Sequence, residues 1–293
     1  MGIRRLRVML LVLLAVTAFC APALAEKTDM AHYLLIGVDG WGLNEVGSAR
    51  SDAIILASLD YGRDRIYFTS FARDSIVEPS YRKGAVKLNT VIRSSDGERA
   101  LVRYIEEAFA LKIEGYFVIN FSGAVDLINA LGGVKLNLTE NEVYYLNHNA
   151  GEYRGYPLSP GECTVNGAQA LYYMRCRSLD NDFGRHGRQG NVLRAVMKKV
   201  STLSPLRAMG LLDDVLGMYR TSLHGGRQVE LALKALKLRN AQVFTKSLPE
   251  EGMYRYVMDS HGASGLSFDL EKNRESLYAW LEIENPFEKI KTE

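Results

Sequence analysis

Three closely spaced apolar runs constrain this chain more than any other feature. Tyr33 to Val38, Ala53 to Leu59 and Arg65 to Phe71 are short, mostly apolar and flanked by aspartate, glycine or serine. Runs of that length between turn formers read as buried strands. Asp60-Tyr61-Gly62-Arg63-Asp64 joins the last two as a hairpin-like turn. The first run ends at Asp39 in G-V-D-G-W-G, and the second follows A-R-S-D, which contains Arg50 and Asp52.

Beyond residue 95 the apolar period lengthens. Asp96-Gly97 precedes Leu101, Ile105, Ala108 and Leu111 at helical spacing. Tyr116 to Ile119 reads as a strand. Ser122 is placed to cap a helix carrying Val125, Ile128 and Leu131, which Gly132-Gly133 stops. Val134 to Leu138 alternates like a strand. Asn166 is placed to cap a short helix leading into Leu171-Tyr172-Tyr173-Met174, which reads as another strand. Asn191 to Val200 sets Val192, Val196 and Val200 opposite Arg194, Lys198 and Lys199. The last third predicts helices over 206–219, 228–236 and 271–281 and strands over 243–248 and 254–258. Strands interleaved with helices predict an α/β sandwich with a mixed sheet. No low-complexity linker or repeat interrupts residues 32–285, so residues 26–293 read as one domain.

The first 25 residues read as an export signal. Arg4, Arg5 and Arg7 precede an apolar stretch from Val8 to Ala18, and Ala23-Leu24-Ala25 has the small-x-small form of a cleavage site. The stretch falls short of the roughly 20 residues of a membrane span, which leaves a short uncleaved anchor as the alternative. Either reading puts the body outside the cytoplasm, secreted or attached to the outer face of the membrane. There Cys163 and Cys176 could form a disulfide. With no histidine pair beside them they do not make a zinc site.

A net charge of +2 gives no global polyanion signal and argues against nucleic acid as a partner. The basic charge is local. Arg175 to Gln189, written R-C-R-S-L-D-N-D-F-G-R-H-G-R-Q, concentrates Arg175, Arg177, Arg185 and Arg188. A guanidinium fork matches phosphate oxygens two at a time, so the cluster suits a pyrophosphate. A solvated, ion-paired face is the competing reading. Asp39 and Asp52 sit at strand ends, where two carboxylates can share Mg²⁺ with substrate phosphates. Aspartates there are also common turn formers. Arg73 and Asp74 follow the third run in S-F-A-R-D-S, and Lys87 lies in V-K-L-N-T. If the three runs are neighbouring strands, Arg50, Arg73 and both aspartates converge. The five histidines are scattered, and neither G-x-S-x-G nor H-E-x-x-H occurs. G-V-D-G-W-G lacks the P-loop lysine and the dinucleotide spacing.

Taken in order, I-G-V-D, R-S-D-A-I-I-L-A-S-L, S-F-A-R-D-S, K-L-N-T, L-G-G-V, G-A-Q-A-L-Y-Y-M-R-C-R and D-F-G-R-H-G-R-Q resemble the LytR-CpsA-Psr family of bacterial cell-wall enzymes. The likeness is closest over residues 33–203. It implies a three-layer α/β/α sandwich with a mixed central sheet and an apolar lipid-binding tunnel. It implies a phosphotransferase that moves a glycopolymer, such as wall teichoic acid or capsular polysaccharide, from a polyprenyl-pyrophosphate carrier to peptidoglycan. The product is a phosphodiester, typically at the 6-hydroxyl of N-acetylmuramic acid. By position, Asp39 and Asp52 match the Mg²⁺ ligands, and Arg50 and Arg73 match arginines beside the reacting pyrophosphate. Asp74 matches the partner of that last arginine. Lys87, Arg175, Arg177, Arg185, Arg188 and Gln189 match the pyrophosphate surround, with Asp182 bracing the Arg185 loop. Ala72 and Ser75 replace the family's usual proline and threonine and leave Arg73-Asp74 intact. Two further readings use the same charged residues: a polyprenyl-pyrophosphate pyrophosphatase and a non-catalytic binder of lipid-linked wall precursors. A membrane surface is an expected partner. The glycopolymer and the oligomeric state are open.

Overall fold

Side chains alternate along the first strands and so build two cores at once. In the computed structural model, β1 (Met30–Val38), β2 (Ser51–Asp60) and β3 (Arg65–Phe71) lie side by side. Leu34, Ile36, Ile54, Leu56, Tyr67 and Phe71 enter one core. Tyr33, Ile55, Ala57, Ile66 and Phe68 enter another on the opposite face. Successive residues of a strand point to opposite faces, and a strand covered on both must be apolar throughout. That explains the continuous apolar runs. The structure describes residues 29–39, 50–149, 156–180, 182–204, 207, 211, 217–258 and 262–287. The export signal read over residues 1–25 lies outside them.

After β3 come the short strands β4 (Ile76–Val77) and β5 (Val86–Lys87), a 3-10 turn Leu88–Arg93, helix α1 (Glu98–Phe109) and strand β6 (Ile113–Ile119). Next are α2 (Phe121–Ala130), β7 (Val134–Leu138), α3 (Glu140–Asn149), β8 (Gly161–Val165), α4 (Gly167–Arg175) and α5 (Asp182–Ser201). The chain closes with β9 (Tyr219–Thr221), α6 (Gly225–Lys237), β10 (Gln242–Leu248), β11 (Tyr254–Met258), β12 (Ser264–Phe268) and α7 (Leu270–Leu281).

The central sheet has the order β10-β3-β2-β1-β6-β9. β1 pairs with β6 and β3 with β10 in parallel, while β1–β2, β2–β3 and β6–β9 are antiparallel. α1 and α7 cover the first face through Leu101, Ile105, Leu277 and Leu281. α5 and α6 cover the second through Leu193, Met197 and Leu231. The expected three-layer sandwich with a mixed sheet is therefore what the chain forms. A smaller core joins the β7–β8 hairpin to α2, α3, α4 and α5, with Val134, Leu136, Val165, Tyr173 and Val192 at its centre.

Several local expectations are corrected. Leu171-Tyr172-Tyr173-Met174 belongs to α4, not to a strand. Asn166 accepts from the Gln169 N–H at 2.8 Å and donates its own N–H to Gln169 Oε1 at 3.0 Å, a reciprocal cap that drives the helix through to Arg175. Gly167 in its first turn meets α2 so closely that a Cβ would lie 2.1 Å from the Val125 carbonyl oxygen. α2 is capped by Asn120, which accepts from Gly123 N at 2.9 Å; Ser122 only donates to that same oxygen. α5 starts at Asp182, well before its apolar period becomes visible at Asn191. Tyr219 opens β9 instead of closing a helix, and most of residues 206–218 lie outside the described residues. Cys163 and Cys176 are both free thiols, and Cys176 is buried at the end of α4.

His32 in β1 is buried, with its Nδ1 2.8 Å from the Ser58 hydroxyl. Burial lowers its pKa from 6.5 to about 4, with Glu114 opposing. The folded state thus holds neutral imidazole, while the unfolded chain takes up a proton near pH 6.5. The resulting stability is full above pH 6.5 and is lost as pH falls toward 4, reaching about 3 kcal/mol. Urea unfolding at pH 7 and pH 4.5 should show a smaller acid loss in His32→Gln than in wild type. Equal losses would remove His32 as the source.

Candidate active site

Antiparallel pairing brings the end of β1 and the start of β2 to one edge of the sheet. Asp39 N–H donates to the Arg50 carbonyl at 3.1 Å, and the Asp39 carboxylate accepts from the Arg50 N–H. Residues 40–49, including the glycines of G-V-D-G-W-G that follow Asp39, lie outside the described residues. Asp52 stands two residues beyond Arg50, and its carboxylate is ion-paired with the Arg73 guanidinium. Arg73 Nε lies 3.4 Å from Asp74 Oδ2, and Asp74 Oδ1 lies 3.8 Å from Lys87 Nζ. Asp52, Arg73, Asp74 and Lys87 therefore form one line of alternating charge. The turn that carries it is fixed by backbone bonds. Asn89 N–H donates to Arg73 O at 2.9 Å, Leu88 N–H to Ser75 O at 2.8 Å, and Ala72 N–H to Leu248 O at 2.7 Å.

Asp52 also faces a cavity. This space, about 350 Å³, lies between the second face of the sheet and α2, α4 and α5. Leu35, Ile55, Phe117, Leu127, Val192 and Val196 are among its apolar walls, and its polar groups come from Asp52, Arg175 and Gln189. Arg175 ends α4 with its guanidinium 4.1 Å from the centre of the Phe121 ring, a cation–π contact that leaves its N–H groups unoccupied by that partner. Gln189 is buried, and its Oε1 has no hydrogen-bond partner among the described residues. An unsatisfied buried amide costs on the order of 1–3 kcal/mol, and a ligand donor at that position would relieve it.

The four arginines of the basic stretch are placed differently. Arg188 is 4% exposed, and both its terminal nitrogens bond Asp180 at 2.7 Å, one of them also reaching the Cys176 carbonyl at 2.7 Å. Burial is the largest single influence and opposes its charge, but Asp180, with smaller contributions from Cys176 and Tyr173, raises its pKa on balance, so it stays cationic. Arg188 braces the loop between α4 and α5. Arg185 is buried in the early turns of α5. Arg177 is exposed in the loop after α4, and no hydrogen bond or ion pair joins it to the cluster among the described residues. Asp180 was not singled out from the sequence, because its spacing to Arg188 has meaning only once the loop folds back on the helix. Phe121 gave no signal either, since an aromatic after a strand is ordinarily core.

The donor set fits a hard cation that shares substrate oxygens. Asp39 and Asp52 present carboxylates near one strand edge, and Mg²⁺ is usually held by one or two carboxylates together with phosphates and water. Among the described residues no three His, Cys, Asp or Glu side chains gather into a cage.

The chain thus combines a mixed-sheet α/β sandwich with arginines and carboxylates at one end of an apolar-walled cavity. The LytR_cpsA_psr family model matches residues 16–275, and the chain belongs to that family. It is 32% identical over 201 residues to the polyisoprenyl-teichoic acid–peptidoglycan teichoic acid transferase TagU of Oceanobacillus iheyensis, across 66% of this chain. The matched part spans 59% of that relative's own length. The crystal structure of protein gbs0355 from Streptococcus agalactiae is similar with a TM-score of 0.73 at 26% identity, over 87% of this chain and 89% of that one. TagT bound to LIIa-WTA shares the fold, with a TM-score of 0.70 at 23% identity over 88% and 92% of the two chains.

The two placements of arginine predict different costs to the fold. Arg188→Ala leaves Asp180 without its bidentate partner and should destabilise the fold on the order of 2 kcal/mol, a figure reduced because Asp180 is partly exposed. Arg175→Ala removes one stacking contact and should cost under about 1 kcal/mol. Chemical denaturation of both variants checks the order, and equal losses would contradict it.

Proposed function

We propose that this protein works outside the cytoplasm, transferring a glycopolymer from a polyprenyl-pyrophosphate carrier to peptidoglycan with formation of a phosphodiester. The observation that carries this reading is the meeting of Asp52, Arg175 and Gln189 with an apolar cavity, Asp52 being also the first member of the Arg73–Asp74–Lys87 line. Family membership and the likeness to a teichoic acid transferase support it. No helix among the described residues is long and apolar enough to cross a membrane, which fits a body that meets its lipid at the membrane surface.

In this mechanism the lipid tail enters the cavity, where each buried methylene contributes about 0.8 kcal/mol. That energy positions the pyrophosphate against Arg175 and Arg73. Asp39 and Asp52 would hold Mg²⁺, which when bound polarises phosphoryl oxygens and offsets their charge. Asp74 lies against the Arg73 guanidinium at Nε and Asp52 at one terminal nitrogen, which leaves the second terminal nitrogen for the headgroup. An acceptor hydroxyl attacks the sugar-linked phosphorus in line. The new P–O bond forms as the bond to the bridging oxygen breaks, and polyprenyl phosphate leaves with the electron pair. Positioning and charge neutralisation carry most of such a reaction. The hydroxyl proton passes to solvent or to a phosphate oxygen, since no side chain is assigned as base.

Arg73→Ala and Asp52→Asn should each lower transfer about 100-fold or more while the circular dichroism spectrum stays native. Normal transfer by either folded variant would overturn the assignment. Cleavage of the carrier by water to polyprenyl phosphate and phosphorylated glycopolymer, with no wall-linked product even with peptidoglycan present, would identify a hydrolase instead. EDTA should suppress turnover and Mg²⁺ should restore it; indifference to both removes the metal from the mechanism.

A further inference from the structure

Helix α6 is apolar on two opposite sides. Leu231 packs into the core on the second face of the sheet. Val229 and Leu233 stand two residues before and after it, about 200° around the helix. They are 57% and 56% exposed. Residues four apart share one face of a helix, so Val229, Leu233 and Lys237 form a single line along the outside of α6. Lys237 and Arg239 are exposed, and no ion pair joins either one among the described residues. Glu230, the one carboxylate between residues 225 and 239, is held by Lys234 at 2.9 Å and lies 3.9 Å from Arg227.

Its position gives this outer line a direction. Lys234 Nζ lies 5.8 Å from the centre of the Tyr61 ring, and the Tyr61 N–H donates to the Asp29 carbonyl at 3.1 Å. Arg227 donates to Glu114, near the start of β6, at 3.2 Å. α6 therefore crosses the end of the sheet where β1 and β6 begin, whereas Asp39 and Asp52 lie where β1 ends. β1 is nine residues long, so roughly 26 Å separates the two ends. The apolar cavity lies between them, and its wall residue Tyr219 donates to Gln228 of α6 at 2.9 Å.

We infer that α6 is the membrane-facing surface of this protein, an interfacial helix that rests on a bilayer rich in anionic lipid. The assignment rests on the transfer reading above and adds to it how the body sits on its lipid source. An outward apolar line that ends in unpaired cations suits a helix lying in the headgroup plane. Its apolar side chains enter the acyl boundary, and its cations meet lipid phosphates. Between residues 225 and 239 four cations stand against one carboxylate, a net +3 that complements such a surface. An anchor retained at Val8–Ala18 would lead into the body at Asp29, on the Lys234 side, and so would tether this same end. With α6 on the bilayer, the charged strand ends face away from it, toward the wall. The cavity then lies on the path of a tail that runs from bilayer to headgroup.

The test places a fluorescent reporter on the outer line. The full chain carrying Leu233→Trp is mixed with phosphatidylglycerol vesicles whose acyl chains bear bromine, a short-range quencher. Wild-type emission, from Trp41 and Trp280, sets the background. The added emission should be quenched about twofold or more, since an interfacial helix sets its apolar side about 5–10 Å into the headgroup–acyl boundary. Tyr256→Trp should stay unquenched. Tyr256 pairs with Leu266, whose N–H donates to the Asp74 carbonyl at 2.9 Å, at the opposite end of the sheet. Adding Lys237→Gln and Arg239→Gln to Leu233→Trp should lower its quenching to the level seen on brominated phosphatidylcholine, each cation supplying about fivefold in affinity near an anionic surface. All four substituted residues are exposed, and a thermal melt verifies that each variant folds. Absence of quenching at position 233, equal quenching at position 256, or indifference to the lost cations overturns the inference. Farnesyl pyrophosphate binding without vesicles should stay within about twofold of wild type in every variant, since none of the four residues lines the cavity. Failure of wild type to bind it overturns the transfer reading instead. Quenching confined to position 233 in that case leaves the docking face standing.

Discussion

Burial of the first three strands on both faces is the constraint from which the rest follows. A central strand apolar on both sides has nowhere to put charge except its ends. Asp39, Arg50, Asp52 and Arg73 all occupy such ends, and the antiparallel order of β1, β2 and β3 turns those ends to a common edge. The same layering leaves the cavity. On the second face α5 reaches the sheet through Leu193 and Met197, while α2 and α4 stand off enough to leave a space walled by apolar side chains. The charged strand ends and the apolar cavity thus arise from one packing arrangement.

Within the site, burial decides what each charge is for. A buried guanidinium must be paired, because an uncompensated charge away from water is costly. Arg188 meets that demand with Asp180 and the Cys176 carbonyl and so becomes structure. Arg175 lies at the surface over Phe121 and keeps its donors available. Between these extremes, Arg73 is partly buried and shared by Asp52 and Asp74. Its charge is offset locally, yet its side chain keeps some exposure to solvent. The alternating order of Asp52, Arg73, Asp74 and Lys87 holds each group by its neighbours.

Much of this was legible in the chain, and the failures have physical causes. The first three strands, the helix over 98–109 and the terminal helix were readable because their apolar periods are strong and local. Leu171 to Met174 misled because a short aromatic and aliphatic run suits strand or helix equally, and the deciding cap lies upstream at Asn166 and Gln169. The start of α5 was hidden because its early turns carry polar and glycine residues that interrupt the apolar period, even though Arg185, His186, Arg188 and Gln189 are buried. β8 was missed since Gly161-Glu162-Cys163-Thr164-Val165 is a strand only by virtue of β7 beside it.

By itself the sequence determined the residue types at the strand ends, the density of arginine between 175 and 188, and the α/β class, because these depend on composition and local period. Which arginine stays exposed over an aromatic ring and which holds a loop was decided only in three dimensions, as was the placing of the β11–β12 hairpin beside Asp74 and Lys87. The reason is that a charge takes its role from its burial and its nearest partner. Both are set by segments far apart along the chain, such as Lys87 and Ser264, that meet only after the sheet has formed.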